Sequence, residues 1–198
     1  MKQPIIVKVA LVIFRIESDT LCVYFPNNDL PFETISETAT LDEQVEEIFQ
    51  KNLGFTVGSN YVEQLYTICK KENEITIAYY VLLSENNKQT TDGKNWRKIT
   101  SKNASEKSII SYAVQRLRWK IEYTNVIYSL LPKTFTLSEL QKTYEIILGK
   151  KFDKRNFRKK ILSLKFLKPT GDKRVINARP AQMYTFIKRS PQLVKVFS

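Results

Sequence analysis

The 198-residue sequence contains no histidine. That excludes Ser–His–Asp and Cys–His nucleophilic catalysis, zinc sites built on imidazole, and histidine-based pH switching. Carboxylate–Mg²⁺ chemistry and lysine or tyrosine chemistry stay open. Only two cysteines occur, Cys22 and Cys69, both in apolar, strand-like stretches. A disulfide framework wants more, so they read as reduced core thiols of a cytoplasmic protein. No apolar run approaches the roughly 18 residues that span a bilayer, and no membrane partner is expected. The start, M-K-Q-P-I-I-V-K-V-A-L-V-I-F, is interrupted by Lys8 and followed by no small-residue cleavage site. It reads as a strand rather than a signal peptide.

Acidic side chains are scarce in one half only. Residues 1–105 carry 11 basic against 14 acidic side chains, whereas residues 106–198 carry 21 against 6. Such asymmetry suggests two domains, 1–105 and 106–198, with different partners, the second a polyanion. The basic half lacks the long one-sided apolar helix that a membrane surface would need. An apolar fraction of 42%, with 12% aromatics, is ample for a packed core.

In the first half, Ile5–Ile16 reads as a buried strand with Thr20–Phe25 as its hairpin partner. Turn residues follow, then a loop to Thr40. Thr40–Gly54 is a punctuated helix: Thr40 and Glu43 form a capping box, and Leu41, Val45, Ile48, Phe49 and Leu53 the buried face. Gly54 suits the left-handed position past its end. Tyr61–Cys69 and Glu74–Leu83 read as two more strands, and a polar loop, 84–94, leads to Trp96. The expected fold class is α+β.

In the second half, Ser105–Leu131 carries one long helical stripe, ended by Pro132. Thr136–Gly149 repeats the capping box through Thr136 and Glu139. Then comes K-K-F-D-K-R-N-F-R-K-K at 150–160, with seven Lys or Arg in eleven positions. Asp153 is placed to cap a helix, and Phe157, Ile161 and Leu164 form its apolar stripe. Lys154, Arg155, Asn156, Arg158 and Lys159 lie beside or opposite that stripe. Arg pairs bidentately with guanine, Asn with adenine, and Lys neutralises phosphate, so this front suits a DNA major groove. Two short helices joined by a tight turn are the helix-turn-helix pattern. Strands at Lys165–Pro169 and Gln182–Lys188 make the following segment a wing. Its tip carries Lys173, Arg174 and Arg179.

The first half resembles a Nudix domain through V-E-Q-L-Y-T at 62–67, I-A-Y-Y-V-L at 77–82, Trp96 and L-G-F at 53–55. The catalytic Nudix box, G-x5-E-x7-R-E-U-x-E-E-x-G-U, gathers glutamates on one helix face to bind Mg²⁺. Anchored on Gly54, its two metal-binding glutamates fall on Lys51 and Asn52, its upstream glutamate on Ala39 and its first glycine on Glu33. Only Phe49, Gly54 and Phe55 match. Glu43, Glu46 and Glu47 read as the helix's solvated face. No catalytic residue, metal or cofactor is expected, and this half reads as a non-hydrolytic sensor or dimerisation domain. The alternative is a divergent Nudix hydrolase acting on a nucleoside diphosphate derivative.

The second half resembles the winged helix of Nudix-related transcriptional regulators of the NrtR type and their arabinose-responsive relatives. The carrying stretches are L-R-W-K-I-E-Y-T-N at 117–125, L-P-K-T-F-T-L-S-E-L-Q at 131–141, Y-E-I-I-L-G-K at 144–150, D-K-R-N-F-R-K-K-I-L at 153–162 and A-R-P-A-Q-M-Y-T-F at 178–186. The resemblance implies a homodimeric DNA-binding repressor that recognises a roughly palindromic operator. It also implies an effector, ADP-ribose-like or sugar-derived, at the Nudix domain. The residues that it and the helical pattern assign to DNA are Lys154, Arg155, Asn156, Arg158, Lys159, Arg174 and Arg179.

Overall fold

The computed structural model describes residues 4–36, 38–71, 73–84, 93–99, 109–176 and 178–196. The chain divides into two units. One comprises Met1–Arg15, Cys22–Leu83 and Asn87–Ala113; the other comprises Val114–Ser198 with the short stretches Ile16–Leu21 and Ser84–Asn86.

The first unit is built on a six-stranded mixed sheet. β1 (Ile6–Glu17) and β2 (Thr20–Tyr24) are joined across Ser18 and Asp19, both at positive φ, as a tight two-residue hairpin turn demands. β3 is Phe32–Thr34, β4 Tyr61–Lys71, β5 Glu74–Leu82 and β6 Trp96–Lys98. Strand order is β4-β5-β1-β2-β6, with β3 also on β1. β1 and β5 run parallel, from Ile6 opposite Glu74 to Phe14 opposite Leu82. Both faces of β1 are buried over 9–14, so it reads as an unbroken apolar run rather than an alternation.

Helix α1 (Leu41–Leu53) packs Val45, Ile48, Phe49 and Leu53 against Val9, Leu11 and Ile13 of β1 and against Tyr79 and Val81 of β5. Its ends form as expected. Thr40 and Glu43 make both capping-box bonds, and Gly54 ends the helix at φ 79°. Three expectations for this unit need correction. The loop to Thr40 contains β3, which pairs Phe32–Thr34 with Ala10–Lys8. Cys69 is exposed because β4 is the sheet's edge, while Cys22 is buried. Glu46 is half-buried, its carboxylate accepting the Val57 N–H at 3.0 Å.

The second unit holds α2 from Val114 onward (the helix is Ile109–Tyr123), α3 (Leu137–Leu148), α4 (Lys154–Ser163) and a three-stranded sheet. Its strands are β7 (Phe135–Thr136), β8 (Leu167–Ile176) and β9 (Arg179–Phe186), in the order β7-β9-β8. Phe186 is the hub of the core, with ring contacts to Phe135 at 5.1 Å, Phe166 at 5.6 Å and Tyr128 at 6.1 Å.

The single helix expected over 105–131 ends at Tyr123, and Val126–Leu130 forms a separate 3₁₀ turn. Positions 105–108 lie outside the described residues. The break has a chemical cause in Thr124 and Asn125. The Thr124 hydroxyl donates to the Lys120 carbonyl at 2.6 Å and closes the helix. Asn125, fully buried, commits its amide to the C-terminal segment. Nδ2 donates to the Lys188 and Ser190 carbonyls, and Oδ1 accepts the Gln192 N–H at 2.7 Å. Arg189 completes the seam by donating to the carbonyls of Tyr128, Leu131 and Pro132. Among the described residues, no helix is long and apolar enough to cross a membrane.

Removing the Asn125 amide leaves buried backbone groups without partners. Asn125→Ala is therefore expected to cost on the order of 2–3 kcal/mol in urea unfolding. Amide exchange should accelerate at Gln192, Val194 and Val196, which donate to Asn125, Tyr123 and Glu122.

Candidate nucleic-acid interface

The interface is assembled from α3, α4 and the β8–β9 hairpin. α3 starts at a complete capping box between Thr136 and Glu139 and stops at Gly149, φ 68°. α4 starts at Asp153, whose carboxylate accepts the Asn156 N–H at 2.8 Å. The turn between them is held by two side chains, Glu145 and Gln141. The Glu145 carboxylate accepts the Phe152 N–H at 3.0 Å, Gln141 Nε2 at 2.9 Å and Lys151 Nζ at 2.9 Å. Gln141 Nε2 also donates to the Phe152 carbonyl. These bonds, the Phe152 N–H first, hold the Glu145 carboxyl far below the ordinary range, at about 2. Beneath the turn, Phe157 packs on Tyr144 and Phe152, both at 5.7 Å between ring centres. From α2, Arg118 Nε donates to the Ile147 carbonyl at 2.9 Å and fixes the end of α3.

With Phe157 and Ile161 buried, the helical period of about 100° per residue orients the rest of α4. Arg155 and Lys159 project directly away from the domain, Asn156 lies on one flank, and Lys154 and Arg158 on the other. All five are exposed.

The flank bearing Lys154 and Arg158 borders a groove of about 700 Å³. Lys173, Ile176, Arg179 and Pro180 of the wing form its far wall, and Thr136 and Ser138 at the start of α3 close one end. The structure thus brings Lys154, Arg158 and Arg179 together, with Lys173 added. Arg155, Asn156 and Lys159 do not line this groove; they form the outer ridge beside it. Arg174 is ion-paired with Glu139, the capping-box glutamate of α3. Ser138 was not singled out from sequence, although an exposed hydroxyl at the second position of a capped helix is the available signal.

The wing extends further than the sequence indicates. β8 runs to Ile176 and β9 starts at Arg179, so most of the segment read as a connection is strand. The concealing feature is an irregularity between Pro169 and Lys173, where Gly171 takes φ 88° and interrupts the alternation.

At the Nudix-box positions, Lys51 is ion-paired with Glu33. That bond and the Glu33 charge raise the lysine's pKa. Asn52 Nδ2 donates to the Ile48 carbonyl at 2.8 Å, and the Asn52 carbonyl accepts the Tyr24 hydroxyl at 3.0 Å. Glu43 serves the cap and Glu46 the Val57 N–H.

A mixed sheet with a capped helix in one unit and a winged helix-turn-helix in the other resemble the two parts of Nudix-related regulators of the NrtR type. Residues 127–186 match the NrtR DNA-binding winged helix domain. The chain is 30% identical over 146 residues to the ADPR responsive transcriptional repressor NtrR of Acinetobacter baylyi, a stretch covering 66% of this chain and 58% of that protein. Its fold is similar to that of Shewanella oneidensis NrtR in a crystal structure with a 27mer DNA, at TM-score 0.75 and 25% identity over 91% of this chain and 93% of the other. A MutT/nudix family protein from Enterococcus faecalis shares the fold at TM-score 0.67 and 17% identity, over 94% and 89% of the two chains.

Glu145 predicts an acid limit for the helix pair. Its folded pKa is depressed, so its contribution is fully present above the ordinary carboxylate value and fades as pH falls towards about 2. Glu145→Gln should flatten that part of the pH–stability curve. At pH 7 Glu145→Ala should lower unfolding free energy by about 1–3 kcal/mol, measured by urea titration.

Proposed function

We propose that the chain is a sequence-specific DNA-binding transcriptional repressor that acts in the cytoplasm as a homodimer on a roughly palindromic operator. The observation that carries this reading is the exposed front of α4, Arg155, Asn156 and Lys159, beside a groove walled by Lys154, Arg158, Lys173 and Arg179. Arg155 and Asn156 are the base readers, since they alone on the outer face offer bidentate chemistry. Lys154, Arg158 and Lys159 contact phosphates, and Arg179, with Arg174, serves the duplex from the wing. The DNA in the Shewanella complex and the repressor role in the Acinetobacter relative's name support the reading of a DNA-binding repressor.

The division of labour follows residues 1–105 and 106–198. The Nudix-like domain serves dimerisation and the sensing of an ADP-ribose-like or sugar-derived effector, as the ADPR response in the relative's name suggests. It is non-hydrolytic. Lys51 and Asn52 stand where the box requires two carboxylates, and an ammonium paired with Glu33 repels Mg²⁺ while occupying the nearest acid.

Fluorescence anisotropy on the chain's own upstream DNA against a scrambled duplex tests the main reading. Arg155→Ala or Asn156→Ala is expected to cost about 1–3 kcal/mol and relax base preference. Lys159→Ala should weaken all duplexes alike and reduce the salt slope by about one. Identical behaviour of the two classes of variant on every duplex would refute the assignment of readers. In a separate assay, ADP-ribose with Mg²⁺ should yield no AMP above the buffer blank; release that depends on protein concentration would restore the hydrolase alternative.

A further inference from the structure

The outer half of the wing is exposed on both faces. From Gly171 to Ile176 every residue of β8 is exposed, as are Arg179 and Pro180 opposite. Among the described residues no layer lies behind this part of the hairpin, yet it carries Val175, 71% exposed, and Ile176, 39% exposed. The register sets Val175 across from Pro180, and Ile176 beside Arg179. One face of the tip is therefore an apolar pair, and the other joins an apolar side chain to a guanidinium. Lone apolar side chains are common on surfaces. Here three adjoin at the end of a two-stranded ribbon, flanked by Lys173, Arg174 and Arg179. The tip is also continuous with the basic groove, because Ile176, Arg179 and Pro180 line its wall opposite Lys154 and Arg158.

A ribbon of this kind fits a minor groove. The groove's floor is narrow, its walls are apolar sugar faces, and its negative potential favours arginine. Resting on the DNA-binding reading above, we propose that Val175 and Ile176, with Pro180, form an apolar wedge. The wedge enters the minor groove next to the major groove held by α4, levers it open and bends the duplex. Arg179 anchors the wedge to the polyanion. In this arrangement the wing contributes shape recognition, favouring steps that unstack easily, at positions where α4 touches no base.

The test uses the full-length chain. Duplexes are first selected from a randomised library with the wild-type protein and then labelled at both ends for energy transfer. The wild type should shorten the end-to-end distance. The double variant Val175→Ser, Ile176→Ser should return it to that of free duplex and weaken binding about tenfold. Its salt slope should stay that of the wild type, because no cation is lost. Val175→Leu with Ile176→Leu should keep the bend, and Arg179→Ala should reduce the salt slope. The serine variant bending and binding like the wild type, or a wild type that leaves its selected duplex straight, overturns the wedge alone. Failure of the wild type to enrich any duplex overturns the DNA-binding reading and the wedge with it.

Discussion

The geometry of the winged helix depends on the Glu145 carboxylate. Seven cations crowd into residues 150–160, and a helix so charged repels itself. Glu145 accepts the Phe152 N–H, Gln141 and Lys151 together, so the chain leaves α3 and enters α4 along one path. Asp153 then satisfies the first turn of α4 by accepting the Asn156 N–H. Two carboxylates therefore help to set the orientation of a surface dominated by cations.

What was legible in the sequence was local. Both capping boxes, Thr40 with Glu43 and Thr136 with Glu139, involve residues three apart, and helix geometry fixes such pairs without help from the rest of the fold. The front of α4 was legible for the same reason, because a buried Phe157–Ile161 stripe determines where every other side chain points. The short strands were not. β3 and β7 are two or three residues long and exist only because β1 and β9 offer free edges. The end of α2 was hidden too, since Asn125 bonds to groups more than sixty residues away. The register of the wing, and with it the meeting of Arg179 with Lys154 and Arg158, lay behind an irregularity that no alternation pattern reveals.

In the Nudix-like domain, scaffold and chemistry have separated. Phe49 and Gly54 keep the helix seated and ended, with Phe55 stacked edge-on against Phe49 at 5.3 Å. On α1, Glu43 and Glu46 serve backbone N–H groups, and the lysine at the box position is paired with Glu33 of β3.

Glu139 closes the account of the wing. One oxygen of its carboxylate accepts the Thr136 N–H at 2.7 Å and the Thr136 hydroxyl at 3.0 Å, and pairs with Arg174 as well. The first two bonds are local to the helix, whereas the third spans to another element and is exposed to competing anions. A phosphate that draws Arg174 away leaves the helix cap closed. The hairpin is thus moored by a line that slips under ionic load, while the post to which it is tied stays in the ground.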